Sequence, residues 1–111
     1  MYEIIKDDYK YKLGRNAVEN FDLIDNSYPE DWWFHLEDYP SGHCVISSTK
    51  NELFECNNEM KLFASNLIIK YSKAKNDKKV KIIFTQIKNL VKTKTVGQVI
   101  VKNGNYLTIS Q

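Results

Sequence analysis

One stretch of this chain has a sustained helical period, and the segments around it are shorter and alternate instead. Apolar residues recur three and four positions apart from Asn57 or Asn58, the expected cap, to about Lys73, which predicts a long helix with one buried face. That face is expected to hold Met60, Phe63, Ala64, Leu67, Ile68 and Tyr71, and the outer face Lys61, Ser65, Lys70 and Lys73. A helix with one buried face must pack against another layer, and the short alternating segments are expected to form that layer as a sheet.

Short alternating segments separated by turn residues predict that sheet. Glu3–Lys6 and Tyr9–Leu13 are expected to form a hairpin around Asp7-Asp8, and Asn103-Gly104 is a strong two-residue turn signal. The other predicted strands are Trp32–Leu36, His43–Ser48, Val80–Thr85, and a last hairpin of Gln98–Lys102 with Tyr106–Ile109, while Lys88–Thr95 is expected to be irregular. The prediction is an α+β fold, in which a hairpin-rich, mostly antiparallel sheet packs on one long and one short helix.

The short helix is predicted between the first hairpin and the strand that contains both tryptophans. Asn16 and Glu19 have the spacing of a capping box, so the helix is expected to run from Asn16 to about Asp25. Its inner face is expected to hold Val18, Phe21, Leu23 and Ile24. At 111 residues the chain has the length of one domain, residues 1–111.

Composition excludes several classes of protein. No window approaches about 18 consecutive apolar residues, so no transmembrane helix is expected. The first residues lack the pattern of a signal peptide. Two cysteines, Cys44 and Cys56, are too few for a disulfide scaffold, so a reducing, cytoplasmic location is expected. Together with His35 and His43 they lack the spacing of a zinc site, so no metal and no cofactor are expected. No nucleotide-binding glycine loop or hydrolase motif occurs, so no catalytic residues are assigned.

Charge is distributed unevenly along the chain. Residues 1–69 contain six basic and thirteen acidic residues, whereas residues 70–111 contain ten basic residues and a single acidic one. A clustered basic surface attracts phosphates, which favours a nucleic-acid partner. Alternatively, the two halves neutralise each other in the fold. On charge alone, the candidate contacts are Lys70, Lys73, Lys92 and Lys94.

A more specific candidate is Arg15, which lies between Gly14 and the expected helix cap Asn16. Helix N-termini attract phosphate through free N–H groups, and a guanidinium adds a planar fork that suits phosphate. Against this, the capping carboxylate of Glu19 would repel an anion. Alternatively, Arg15 pairs with Asp22 or Asp31 and has a structural role.

The two histidines lie on neighbouring predicted strands, so their relation depends on register. If Trp33 pairs with Val45, then His35 faces His43 and all four share one side of the sheet. A shift of one residue would place His35 opposite Cys44 and separate the imidazoles. On one face with Trp33, the histidines would form a stacking and phosphate-contacting surface; alternatively, each is a hydrogen-bonded structural group.

The order of these motifs resembles the NFACT-R domain, the RNA-binding module of the NFACT group of ribosome quality-control factors. The resemblance rests on Leu13–Asn20 (LGRNAVEN), Tyr28–His35 (YPEDWWFH) and Tyr39–Ile46 (YPSGHCVI), and continues through Val80–Thr85 and Gly97–Val101. It covers about residues 9–109 and implies a compact α+β domain, here a standalone member, that binds RNA without catalysis. The implied RNA is tRNA or large-subunit rRNA, with a ribosome or a ribosome-associated protein as a further partner.

The resemblance, combined with the phosphate argument, makes Arg15, Asn16, His35 and His43 the candidate RNA contacts. A basic loop of the longer relatives is reduced here to residues 92–96, which implies weaker contact at that point. Three alternatives remain open: a protein-interaction module that uses the acidic first half, a DNA-binding variant, and a hydrolase built on the two histidines and nearby carboxylates.

Overall fold

The computed structural model describes all residues from Met1 to Gln111 and places six of eight strands in one sheet. The strands of this sheet are β1 Tyr2–Lys6, β2 Tyr9–Leu13, β3 Trp32–Leu36, β4 Cys44–Ser48, β5 Lys79–Gln86 and β8 Asn105–Ser110. Their order is β1-β2-β4-β3-β5-β8, and every neighbouring pair is antiparallel. Strands β6 Leu90–Lys92 and β7 Val99–Val101 pair separately, and residues 90–101 are called the ribbon below.

The two faces of the sheet are covered by different elements. The helices are α1 Ala17–Asp25 and α2 Asn58–Lys70, with a short 3₁₀ turn at Ile87–Asn89. Phe34 and Leu36 of β3 face α2 and belong to a core cluster of 17 buried residues. Trp33, on the other face, belongs to a cluster of five buried residues, against which residues of α1 and the ribbon pack. The predicted α+β fold is confirmed.

The first hairpin and the register of the aromatic strand are also confirmed. Asp7 and Asp8 both have positive φ, at 52° and 68°, as the tightest hairpin turns require. Trp33 pairs with Val45, so His35 and His43 share the face of the sheet that carries α1 and the ribbon.

The predicted last hairpin is wrong. Strand β7 pairs with β6, and β8 pairs with β5 at the edge of the large sheet. Neither Asn103 nor Gly104 has the positive φ that a two-residue turn would need. Leu107 and Ile109 instead reach the large core beside β5, and this long-range burial outweighs the local turn signal. The segment Lys88–Thr95, predicted to be irregular, contains the 3₁₀ turn and β6.

The helix faces differ in part from those predicted. Helix α2 ends at Lys70, so Lys73 lies beyond it, and its buried face includes Ser65 and Ile69 while Tyr71 is exposed. In α1, Val18 was predicted to be buried but is exposed, and the polar residue Asn20 is buried instead. Neither helix combines the length and the hydropathy needed to cross a membrane.

Candidate nucleic-acid interface

An open cleft of about 1060 Å³ lies where the start of α1, the β3–β4 connection and the ribbon meet. Residues 15–17, 35–43, 71–73 and 96–101 contribute to its walls, and it is called the central cleft below. Five of the eight predicted site residues line it: Arg15, Asn16, His35, His43 and Lys73. The fold therefore brings together residues that are distant in the sequence.

The start of α1 positions Arg15 at the edge of the central cleft. The Asn16 side chain accepts a hydrogen bond from the Glu19 N–H at 2.9 Å, as the predicted cap requires. The Glu19 carboxylate accepts from the Arg15 backbone N–H at 3.0 Å, and from Nε and Nη2 of its guanidinium at 3.1 and 2.8 Å. The partner of Arg15 is thus Glu19, and the alternative partners Asp22 and Asp31 are wrong. The Arg15 side chain nevertheless remains 65% exposed.

This ion pair changes the acidity of both groups. Hydrogen bonds from the Arg15 side chain and backbone lower the pKa of Glu19 to about 2. The same contact raises the pKa of Arg15. Both groups are therefore charged at neutral pH, and the carboxylate orients the guanidinium while it reduces the net positive charge there.

A buried amide, Asn20, connects α1 to His43, the residue immediately before β4. Its side-chain oxygen accepts from the His43 N–H at 3.0 Å, and the Gly14 N–H donates to the His43 carbonyl at 3.0 Å. A Cβ on Gly14 would overlap that amide oxygen, so only glycine fits there. Sequence reasoning missed Asn20 as a functional residue. Its position one helical turn before Leu23, on the same face of α1, was a signal that a polar side chain is buried there.

The imidazoles form a packed group with Trp33. The His35 ring stacks on Trp33 with centroids 5.7 Å apart, and His43 lies edge-on to Trp33 and His35 at 5.1 and 5.0 Å. Trp33 is 1% exposed and His43 2%, so neither presents a stacking surface to a ligand, contrary to expectation. His35, which is partly exposed, is the member of this group that a ligand can reach.

Burial keeps both imidazoles neutral. It lowers the pKa of His43 to about 3, with a further lowering from His35, against an opposing effect of the nearby Gly97 backbone. Burial also lowers the pKa of His35, opposed by hydrogen bonds to the backbone of Leu36 and Ser41. The histidines therefore do not supply positive charge for phosphate, and their contribution has to come from stacking or neutral hydrogen bonds.

The ribbon closes the cleft through a glycine that sequence reasoning did not single out as a functional residue. Gly97 has φ of 86°, and a Cβ there would lie 2.8 Å from the Cβ of Ala17. The turn of the ribbon therefore packs directly on the first turn of α1. The signal in the sequence was a glycine among β-branched residues, a pattern that indicates a bulge or a close approach of another backbone.

The predicted lysines are only partly brought to the cleft. Lys73 lines it, whereas Lys70 lies in a separate depression with Lys6 and Glu59. The Lys92 Nζ lies 2.6 Å from Asp25 Oδ1, and Lys94 is exposed outside the lining. Of the ten lysines in residues 70–111, Lys92 alone forms an ion pair. Ion pairs between the acidic residues 1–69 and the basic residues 70–111 therefore leave most of the lysines unpaired.

The carboxylates of the cleft and the two cysteine thiols lie in different parts of the fold. Glu37 and Asp38 line it beside the histidines, but no carboxylate is hydrogen-bonded to an imidazole, and the Ser41 hydroxyl donates to the Gly42 carbonyl. No three His, Cys, Asp or Glu side chains lie in an arrangement that would hold a metal ion. Both cysteines are free and buried in the large core. Burial raises the pKa of the Cys44 thiol, and it raises the pKa of the Cys56 thiol to about 12. Their thiols are therefore poor nucleophiles at neutral pH.

Comparison with known proteins identifies the domain. A family model described as NFACT protein RNA binding domain matches residues 2–108. Coiled-coil domain-containing protein 25 of Mus musculus is 32% identical over 95 residues, covering 82% of this chain and 46% of the relative. Its Dictyostelium discoideum homolog is 31% identical over 106 residues, covering 92% and 52%. The chain thus spans about half the length of the curated relatives it matches.

A solved structure shares the fold over nearly the whole chain. The C-terminal part of the fibronectin/fibrinogen-binding protein from Streptococcus suis superimposes with a TM-score of 0.83 at 25% identity, covering 97% of this chain and 43% of that chain. The fold similarity agrees with the match of the family model to almost every residue. This chain belongs to the NFACT protein RNA binding domain family.

Proposed function

We propose that this chain binds RNA at the central cleft as a module without catalysis, acting on tRNA or large-subunit rRNA in ribosome-associated quality control or translation in the cytoplasm. The observation that carries the proposal is the convergence of Arg15, His35 and Lys73 on one open cleft. The family supports RNA as the ligand.

Arg15 is the proposed phosphate contact. A guanidinium has five N–H donors, and Glu19 accepts from Nε and Nη2, so Nη1 is left without a protein partner. The carboxylate fixes the direction of the fork, and Lys73 supplies a second cation on the same cleft. Asn16 caps the helix beside them and is proposed to hold this geometry rather than to contact RNA.

The histidines have different proposed roles. His35 is the partly exposed ring and contacts the ligand, whereas buried His43 positions His35 through their edge-on contact. The other candidate lysines, Lys70, Lys92 and Lys94, are proposed to act at longer range, because they lie outside the cleft.

The test is fluorescence anisotropy with labelled tRNA and rRNA fragments at increasing salt. Affinity should fall with salt, with a log-log slope of about −0.7 for each neutralised phosphate of single-stranded RNA. Arg15→Ala should weaken binding and reduce the slope by about one phosphate contact. Arg15→Lys, which keeps the charge but loses the fork, should be intermediate.

The matched control is Lys50→Ala, which removes an exposed cation that pairs with Asp8 outside the cleft. Equal effects of Arg15→Ala and Lys50→Ala would contradict the assigned site, and absence of RNA binding would refute the function. A DNA of the same sequence belongs in the assay, because only the 2′-hydroxyl distinguishes the two ligands at a shared phosphate site.

A protein-interaction role is the second candidate, and one feature of the ribbon favours it. Val91 and Ile100 are register partners on β6 and β7, and both are exposed. Apolar surface of this kind is typical of contact sites. Partners that remain bound in a pull-down after nuclease treatment, and that are lost on Ile100→Ser, would support this role.

A further inference from the structure

Charge alone does not account for binding at the central cleft. Arg15 and Lys73 are the basic residues of its lining, and Glu37 and Asp38 are the acidic ones. Two positive charges are therefore balanced by two negative charges, and Glu19 pairs with Arg15 as well. A site that only followed a phosphate backbone would need an excess of positive charge, so the ligand must gain affinity from other contacts.

Exposed aromatic rings at the cleft offer such contacts. Tyr39 is 42% exposed and Tyr71 53% exposed, and both line the cleft with partly exposed His35. Tyr71 and Arg15 also line a smaller neighbouring depression together, so a stacking ring lies beside the phosphate contact.

Both tyrosines have neighbouring side chains in the protein before any ligand binds. The Tyr71 ring packs on Tyr2 with centroids 5.3 Å apart, and the nearby Tyr71 side chain raises the pKa of Tyr2. Tyr39 lies near the Asp77 carboxylate, which raises the pKa of Tyr39. Rings that are already fixed lose little conformational entropy when a base stacks on them.

These contacts suit unpaired nucleotides. In a duplex the base faces are covered by neighbouring bases, and proteins read double-stranded RNA by shape and backbone. Bases in loops and at ends are free to stack on aromatic side chains. The cleft volume of about 1060 Å³ is at the upper end of pockets that take drug-sized ligands, roughly 300–1,000 Å³, which leaves room for a splayed-out nucleotide.

We propose that the central cleft binds unpaired nucleotides of RNA, with Tyr39, Tyr71 and His35 stacking on bases while Arg15 and Lys73 contact phosphates. This inference rests on the proposed RNA-binding function and specifies the part of an RNA that the site takes: a loop, a bulge or a single-stranded end.

The test compares a short, unstructured RNA of mixed sequence with the duplex that it forms with its complement, both labelled and titrated with the full chain. The single strand should bind more tightly. Tyr71→Ala and Tyr39→Ala should each weaken its binding roughly 5- to 150-fold, the loss typical of one stacked base, and Tyr71→Phe should retain it. The matched control is Tyr28→Ala, because Tyr28 is 58% exposed and lies outside the cleft beside Glu30 and Asp31.

The outcomes separate this inference from the function on which it rests. If the duplex binds as tightly as the single strand, or if both cleft variants behave like Tyr28→Ala, base stacking is refuted while RNA binding stands. If neither RNA binds, the proposed function fails and the inference fails with it. Circular dichroism melting of each variant separates a folding defect from lost stacking, and Tyr39→Ala tests the proposal independently where Tyr71→Ala is unstable.

Discussion

At the scale of single residues, the two buried imidazoles make stability depend on pH. Burial lowers the pKa of His43 from 6.5 to about 3 and lowers that of His35 as well. In the unfolded chain both rings take up protons near pH 6.5, so the folded state binds fewer protons. The free energy of unfolding should therefore fall as pH decreases from about 6.5 towards 3, by up to about 1.4 kcal/mol per pH unit for His43, and His35 should contribute with the same sign.

Urea denaturation at pH values between about 7 and 5 measures this slope before most carboxylates titrate. His43→Gln removes one titrating group and should reduce the slope to that of His35, whatever its effect on stability at neutral pH. A slope that does not change in the variant would contradict the assignment. Glu19, whose pKa is about 2, acts at lower pH, because its contribution is lost as pH falls from about 4.5 to 2.

At the scale of elements, the contact between the ribbon and α1 depends on Gly97. An alanine there would have to adopt φ of 86° and would place its Cβ 2.8 Å from the Cβ and 2.9 Å from the Cα of Ala17. These atoms belong to the helix and cannot move independently. Gly97→Ala should therefore lower the free energy of unfolding by about 1–3 kcal/mol and shift the amide NMR signals of α1 and the ribbon.

Gly104→Ala is the matched control. Its Cβ would meet the end of the flexible Ile83 side chain at 2.9 Å, and Gly97 is the one glycine with positive φ. The control should cost less and should leave the α1 signals in place. Equal destabilisation by the two substitutions would show that the backbone conformation and the helix contact at Gly97 are unimportant.

Elements were predictable from the sequence where local signals and burial agree. The Asp7-Asp8 hairpin, β3, β5 and the cap at Asn16 were predicted because their turn chemistry, periodicity and capping all indicate one structure. The Asn103-Gly104 hairpin failed because residues on β8 gain more by burial beside β5 than a local turn provides. No pattern within residues 90–101 specifies that the ribbon packs on α1.

The candidate site was predictable to the extent that it depends on register and motifs. The Trp33–Val45 pairing was one of two alternatives, and it places His35 and His43 together. Their burial, and that of Trp33, arises from α1 and the ribbon, so it could not be deduced from the strands alone. The spacing of residues did not identify the partner of Arg15, because the partner is determined by how far the Arg15 side chain extends within one helical turn.

At the scale of the whole molecule, the two sides of the sheet differ in how firmly they are held. The apolar cluster on the side facing α2 contains 17 buried residues, and the apolar cluster on the side facing α1 and the ribbon contains five. The three-residue strands of the ribbon form a sheet of two strands, which is marginal without packing. We therefore expect the layer that forms the wall of the central cleft to be the less stable one.

Hydrogen exchange followed by mass spectrometry or NMR should resolve this difference, because segments with little buried apolar area open at lower free energy than the global transition. In the free protein, amides of β3, β4 and β5 should exchange slowest and those of the ribbon fastest, with α1 in between. Addition of a single-stranded RNA should slow exchange in the ribbon and at the start of α1, since both line the occupied cleft, and should leave α2 unchanged. If the ribbon amides of the free protein are as protected as those of β3, the expected difference in stability between the two sides of the sheet is contradicted. Protection confined to α2 on RNA addition would place the RNA on the opposite side of the sheet.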